Sequence, residues 1–320
     1  LQGRARKEHI AEVEALIAKI EAKLSTLTDE GRIARLTSSL ETINHHLFLL
    51  ESGPTGEGPA AAVIANSTGC SSVYSSTFPY NPYRDPWVNS LFQDAPALAK
   101  GIYEGIAADV LVNFRAMRVA ELELDDKYEP AVHDKAFRTF AWEDFTETEL
   151  GRLPTVFSIG GDGATYDIGF GALSRLLSTK TPIKVIVVNT GVYSNTGGQA
   201  STSSLIGQDS DLARYGAAHA GKTDNRKELG LIAAFHPAVM VVQTATSIQG
   251  HFLKNVLSAL SRTTSPAIID VYTPCQGEQG IGDDVSSEHA RLAVESRVSP
   301  VYVHNPDGGS VLKERFSLDG

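Results

Sequence analysis

The turn Gly160-Gly161-Asp162-Gly163 follows the apolar run Thr155–Ile159, and a helix-forming stretch opens just beyond it at Tyr166-Asp167-Ile168-Gly169. Glycine at such a junction lets the backbone approach an anion closely, and the free N–H groups of a helix start attract phosphate. A carboxylate in that place repels phosphate unless a cation lies between them. Asp162 therefore reads as a ligand to magnesium, a hard cation that combines one or two carboxylates with the oxygens of a diphosphate. Alone, a Gly-Asp-Gly turn carries little weight.

Its counterpart follows the next apolar run, Ile183–Val188, in Asn189-Thr190-Gly191-Val192-Tyr193-Ser194-Asn195. A neighbouring parallel strand brings this stretch beside Asp162, where the Asn189 and Thr190 side chains and the Val192 carbonyl complete an oxygen cage. Gly-Asp-Gly followed by Asn after 25 intervening residues is the fingerprint of thiamine diphosphate binding. A dinucleotide fingerprint is absent.

The elements that must position these residues are legible in the apolar pattern. Five runs, Ala61–Ala65, Thr155–Ile159, Ile183–Val188, Ala238–Gln243 and Ala267–Tyr272, are continuously apolar, as strands buried on both faces of a parallel sheet are. Between them the spacing predicts helices over Pro96–Leu122, Tyr166–Ser178, Ser210–Ala220 and Ser247–Arg262. This alternation implies a doubly wound, mostly parallel α/β domain with its site at the C-terminal ends of the strands. The segment Glu121–Leu150 looks like an excursion from the sheet, and its acidic run Glu121–Asp126 reads as a solvated face.

The first fifty residues differ in texture. Ile10, Val13, Ile17, Ile20, Leu24 and Leu27 form one three-four series, and Ile33, Leu36, Leu40, Ile43, Leu47 and Leu50 form another. They predict two helices in an antiparallel hairpin, with Thr28 or Asp29 capping the second. We divide the chain into a hairpin arm, 1–52, and an α/β domain, 53–320, with the Gly- and Pro-rich 53–59 as the joint. The arm reads as a structural or oligomer contact.

Bulk properties narrow the function classes. The 320 residues carry a net charge of −10, which argues against nucleic acid, and hold no apolar run long enough to span a membrane. Two cysteines, Cys70 and Cys275, are too few for a disulfide framework and suit a reducing cytoplasm. Lacking both an initial Met and an apolar signal core, Leu1 reads as an interior position of a longer polypeptide. The triplet Asn66-Ser67-Thr68 reads as a chance glycosylation match, and the histidines His45, His46, His133, His219, His236, His251, His289 and His304 as surface or helix-end residues. Among these, His219 is the first candidate for a catalytic exception.

Four longer motifs carry a resemblance. They are Ile64–Ser72 (IANSTGCSS), Pro86–Asp94 (PWVNSLFQD), Gly160–Gly169 and Val192–Ser201 (VYSNTGGQAS). From about residue 60 to 305 the chain resembles the pyruvate:ferredoxin (2-oxoacid) oxidoreductases. The resemblance implies that Asp162, Thr190 and the Val192 carbonyl bind magnesium. It also implies that Thr68, Gly69, Gly161, Gly163 and Asn195 contact the diphosphate or line the thiazolium of thiamine diphosphate, Asn195 also facing the 2-oxoacid as the catalytic residue. Cys70 and Cys275 become two of four thiolates on a 4Fe-4S cluster, the family's Cys-x-x-Cys pair being absent from this sequence, as is the glutamate that activates the cofactor.

The implied reaction is oxidative decarboxylation of a 2-oxoacid, on resemblance pyruvate, to acyl-CoA and CO2, with electrons passed to ferredoxin or flavodoxin, or its reverse. Coenzyme A, the electron acceptor and other domains or subunits of a homo- or hetero-oligomer are the implied partners. Two other readings stay open: a thiamine decarboxylase or synthase without redox chemistry, and an inactive cofactor-binding module serving assembly.

Overall fold

The computed structural model describes residues 2–76, 80–211 and 221–318. The helix expected over Ser210–Ala220 falls largely, and His219 wholly, outside them. Chain contacts divide the protein into two compact units, Leu1–Ala61 with Glu104–Pro154, and Ala62–Tyr103 with Thr155–Gly320.

The first unit contains the hairpin of helices Gln2–Leu24 and Glu30–Glu51, packed on each other as expected. Asp29 is the cap: its carboxylate accepts from the Arg32 backbone N–H at 2.8 Å and satisfies one orphan donor of the second helix. The buried seam differs from the apolar count. It runs His9, Val13, Leu16, Ile20 on one helix and Leu36, Ser39, Ile43, His46, Leu50 on the other. Two histidines and a serine thus occupy core positions, while Ile10 and Ile17 sit at the seam's margin. His46 is buried, against the surface position expected of it. Its ring lies 5.1 Å from that of His9, and both face Phe114, which packs edge-on against Phe145 at 5.0 Å.

The acidic run also departs from expectation. Glu123 is 1% exposed rather than solvated, and its carboxylate accepts from Arg32 Nε at 2.8 Å and from Arg35 Nε. Asp126, three residues on, stays at the surface and pairs with Lys23 and Arg32. The helix Ala95–Leu124 ends there in a Schellman-type closure, with Lys127 N–H donating to Leu122 O and Asp126, at φ 57°, holding the position usually given to glycine.

The second unit is built on an eight-stranded sheet in the order β2-β1-β3-β4-β6-β5-β7-β8. Its strands are β1 (Ala62–Ser67), β2 (Trp87–Ser90), β3 (Thr155–Gly161), β4 (Lys184–Asn189), β5 (Met240–Ala245), β6 (Ala267–Tyr272), β7 (Tyr302–His304) and β8 (Phe316–Ser317). All pairings among β1 to β6 are parallel, and β7 and β8 add an antiparallel edge. The doubly wound, mostly parallel fold is therefore as expected. The five apolar runs are β1, β3, β4, β5 and β6; β2, β7 and β8 are too short to announce themselves. A cluster of Met240, Val242, Ile269, Val271 and Val303 packs under the helix Gln249–Leu260. Fully burying such a side chain stabilises by about 1.5–3 kcal/mol.

Two more histidines are interior. His251 Nδ1 lies 2.9 Å from Thr244 Oγ1, and His304 Nδ1 lies 3.1 Å from Val239 O. Asn66 of the glycosylation triplet is wholly buried in β1. Among the described residues no helix is long and apolar enough to cross a membrane.

The histidine seam makes the first unit sensitive to acid. Burial, then the charge of Arg152, lowers His9 to about 3; burial, then Arg152 and His45, lowers His46 to about 4. Both values lie below the unfolded 6.5, so the unfolded chain binds more protons, and stability is complete above pH 6.5 and lost as pH falls towards 4. Each histidine contributes a slope of about 1.4 kcal/mol per pH unit in that window. Hydrogen exchange of the hairpin amides at pH 7 and pH 5 will show faster opening at pH 5, and the double variant His9→Leu/His46→Leu will flatten the difference. Separately, Glu123→Ala takes the carboxylate from two half-buried guanidinium groups, leaving Arg32 only Asp126. It will cost about 2–3 kcal/mol in urea unfolding, less than for a fully buried pair because both arginines keep some water.

Candidate cofactor site

The C-terminal ends of β1, β3, β4 and β6 lie along one edge of the sheet, and their following loops form the site. The strand order reverses between β1 and β3, since β2 lies on the far side of β1. Ligands of open α/β sheets settle in the crevice at such a point. Thr68-Gly69-Cys70 follows β1, Gly161-Asp162-Gly163 ends β3, and Thr190–Asn195 follows β4. These segments line a common cavity of about 240 Å³. The structure thus brings together Thr68, Gly69, Cys70, Gly161, Asp162, Gly163, Thr190, Val192 and Asn195.

Asp162 is the centre of this geometry. Its side chain is 1% exposed, and burial pushes the carboxyl up to about 6 despite hydrogen bonds that favour the charged form. Ser201 Oγ donates to Oδ2, while Thr190 donates to Oδ1 from its backbone N–H at 3.1 Å and its hydroxyl at 3.2 Å. The same Thr190 hydroxyl lies 3.0 Å from Val192 O. The Thr190 hydroxyl therefore lies within hydrogen-bonding distance of both the Asp162 carboxylate and the Val192 carbonyl. Among the described residues no group of three or more His, Cys, Asp or Glu side chains could hold a metal. Any cation here must draw on neutral oxygens and on its own ligand's oxygens.

Asn189 does not join this cage. Its Nδ2 donates to Asp270 Oδ1 at 3.1 Å and to Tyr166 OH at 3.1 Å. Its Oδ1 accepts from Ser203 Oγ at 2.8 Å and from Gly191 N–H at 3.1 Å. The amide is saturated by a buried layer beneath the loop, and the expectation that its side chain completes the cage is corrected. Tyr166 OH donates to Asp270 Oδ2, and burial followed by the Asp270 charge keeps this phenol protonated.

Gly163 opens a π-helical turn, Gly163–Ile168, which precedes the helix Phe170–Leu177 where a single helix was expected. Such turns concentrate at functional sites. Any side chain at 163 would strike the Tyr193 ring, whose atoms lie 2.3 Å from an added Cβ. Gly161 and Gly69 meet nothing that close, so their smallness leaves the cavity side open.

On the β1 side, Thr68 donates to Ser90 O through both its backbone N–H, at 3.1 Å, and its hydroxyl, at 2.9 Å. Gln93 Nε2 donates to Thr68 O at 2.8 Å, from a backbone at φ 62°. Gln93 lines the cavity and was not singled out in the sequence; a strained non-glycine residue is invisible there. Cys70 Sγ lies 3.8 Å from Asn195 Oδ1. Burial, and then the charge on Cys275, raises the Cys70 thiol above its ordinary value. Cys275 follows β6, just before the turn Gln276–Gln279, and Gln279 Nε2 donates to Thr190 O at 3.0 Å.

Comparison with known proteins agrees with this reading. Residues 149–271 match the family model of the thiamine pyrophosphate enzyme C-terminal TPP binding domain. The pyruvate:ferredoxin oxidoreductase of Moorella thermoacetica is 30% identical over 295 residues, 80% of this chain and 25% of its own. The pyruvate-flavodoxin oxidoreductase of Rhodospirillum rubrum is 30% identical over 81% of this chain and 24% of its own. The pyruvate synthase subunit PorB of Methanocaldococcus jannaschii is 28% identical over 75% of this chain and 69% of its own. The chain thus spans about a quarter of the two longer relatives. It contains a thiamine pyrophosphate enzyme C-terminal TPP binding domain and is homologous to the pyruvate:ferredoxin and pyruvate-flavodoxin oxidoreductases and to the PorB subunit.

Proposed function

We propose that this chain is the thiamine-binding part of a 2-oxoacid:ferredoxin or flavodoxin oxidoreductase, with pyruvate as the substrate. The observation that carries the reading is the gathering of the Asp162 carboxylate and the Val192 carbonyl about the Thr190 hydroxyl, at the ends of β3 and β4 beside the strand-order reversal. A carboxylate that burial makes costly to ionise is stabilised by a cation, and three protein oxygens of which one is charged suit magnesium completed by diphosphate. Asp162, Thr190 and Val192 would hold the metal. Gly161, Gly163, Thr68 and Gly69 would leave room for the diphosphate, and Asn195, beside Cys70, would face the 2-oxoacid.

When bound, thiamine diphosphate supplies the electron sink for removing CO2 from a 2-oxoacid. The chain's own contribution is orientation and exclusion of water. Tyr193 packs over Gly163 and donates to Asp167 Oδ2 at 3.0 Å, closing one wall of the cavity. Cys70 and Cys275 would supply two of the four thiolates of a 4Fe-4S cluster, the usual complement, which carries single electrons towards ferredoxin or flavodoxin. The other two thiolates and the acid that activates the cofactor would come from another segment or subunit. Coenzyme A would accept the acyl group, and the reverse direction would make a 2-oxoacid from CO2.

Two measurements test this. Asp162→Asn keeps the shape and removes the charge, so calorimetric titration with magnesium and thiamine diphosphate will show at least a hundredfold weaker binding, since the metal loses its one protein anion; unchanged affinity would rule out the magnesium assignment. In the complete enzyme purified without oxygen, Cys70→Ala and Cys275→Ala will each remove the visible absorbance of the cluster. Colour retained in both would leave a thiamine enzyme without this redox centre.

A further inference from the structure

Four consecutive hydroxyl side chains, Ser201-Thr202-Ser203-Ser204, lie against the loops that follow β3 and β4. Each serves a different group. Ser201 Oγ donates to Asp162 Oδ2, and Thr202 Oγ1 to Asp167 Oδ1. Ser203 Oγ donates to Asn189 Oδ1 at 2.8 Å, and Ser204 Oγ to Gly191 O. The first two contacts fall on the β3 loop and the last two on the β4 loop. One short segment therefore ties together the two halves of the oxygen cage.

The segment is itself fastened. Lys222 Nζ donates to Ser201 O and to Ser204 O, both at 2.8 Å, so one ammonium spans the two ends of the run. Lys222 is 7% exposed, and Ser201, Ser203 and Ser204 are also buried. Within the run, Ser201 N–H donates to Ser204 Oγ at 2.9 Å and Ser203 N–H to Ser201 Oγ at 3.1 Å. The Lys227 backbone N–H adds a bond to Thr202 O at 2.8 Å. A buried ammonium is costly unless its protons are matched, so its position is set by these carbonyls and in turn sets them.

We propose that Ser201 is a positioning residue for the metal ligand Asp162, and that Lys222 acts through it by fixing the Ser201–Ser204 brace. This rests on the magnesium reading above. The physical point is rotation of the carboxylate. Thr190 holds Oδ1 from one side; Ser201 holds Oδ2 from the other. Without the Ser201 hydroxyl the carboxylate swings about its last torsion, and part of the metal's binding energy goes into stopping it. Groups of this kind, which touch the ligand and not the metal, change metal affinity by about 10–100-fold when removed.

The test uses the full chain, titrated with magnesium at fixed thiamine diphosphate and, separately, melted without either. Ser201→Ala and Lys222→Met will each raise the magnesium concentration for half-saturation by about 10–100-fold, while thiamine diphosphate affinity at saturating magnesium changes little. Lys222→Arg, which still reaches both carbonyls, will restore most of the loss. A lower melting point with an unchanged magnesium requirement would mean that the brace serves folding alone and would overturn the proposal. Should the unaltered chain itself fail to bind magnesium and thiamine diphosphate, the cofactor reading falls, and the brace's role at the metal falls with it.

Discussion

The structure of the site is organised by one unfavourable fact, a carboxylate placed where water scarcely reaches it. Asp162 needs partners, and it takes them from two separate stretches of chain. The kind of partner matters as much as the number. All three donors are neutral, two hydroxyls and a backbone amide, so they hold the carboxylate without cancelling its charge. The buried Lys222 nearby is directed at main-chain carbonyls instead. An ammonium on Asp162 would neutralise the site, whereas hydroxyls leave a full negative charge for a cation. Parallel pairing of β3 with β4, in the register Gly161↔Val188, brings the two loop ends together closely enough for this.

Beneath that layer lies a second one. Asp270 sits in β6 between Val187 of β4 and Gln243 of β5, with no access to solvent on either face. Its two oxygens receive Tyr166 and Asn189, and Asn189 in turn receives Ser203 and the Gly191 amide. A saturated buried network of this sort specifies one arrangement, because every alternative leaves a polar group without a partner. It explains why the β4 loop presents Thr190 and the Val192 carbonyl upward while Asn189 turns inward. It also gives the π-helical turn a structural cause, since Tyr166 within it reaches Asp270.

Sequence patterns reveal what depends on periodicity and on glycine. The five long strands, the hairpin helices and the Asp162–Thr190 pairing were all legible for that reason. What depends on partners distant in sequence was not. Asn189 and Thr190 are adjacent and equally polar, and only the layer below decides which of them faces the cavity. His9, Ser39 and His46 fill apolar seam positions that a count of hydrophobic residues passes over. Glu123 looks like one more charge in an acidic run until Arg32 and Arg35 arrive from the hairpin. The Ser201–Ser204 run resembles an ordinary polar loop, although each hydroxyl has a different obligation.

The β6 segment shows how far this coupling extends. Asp270 supports Asn189 from below, and the Thr273 N–H continues the ladder to Asn189 O at 2.9 Å. Cys275 comes two residues later, and Gln279, four residues further, returns to hold Thr190 O. One continuous stretch thus grips the β4 loop on both sides of the residue that presents a thiol. The position of that thiol relative to the β4 loop is consequently fixed from both sides, by the Thr273 main-chain bond and by the Gln279 side chain. Cys70 is referred to the same frame from the opposite direction, through its contact with Asn195 at the end of the β4 loop. An electron-transfer group held by these thiols would keep a fixed distance from a cofactor held by Asp162, because the same loop is the reference for both.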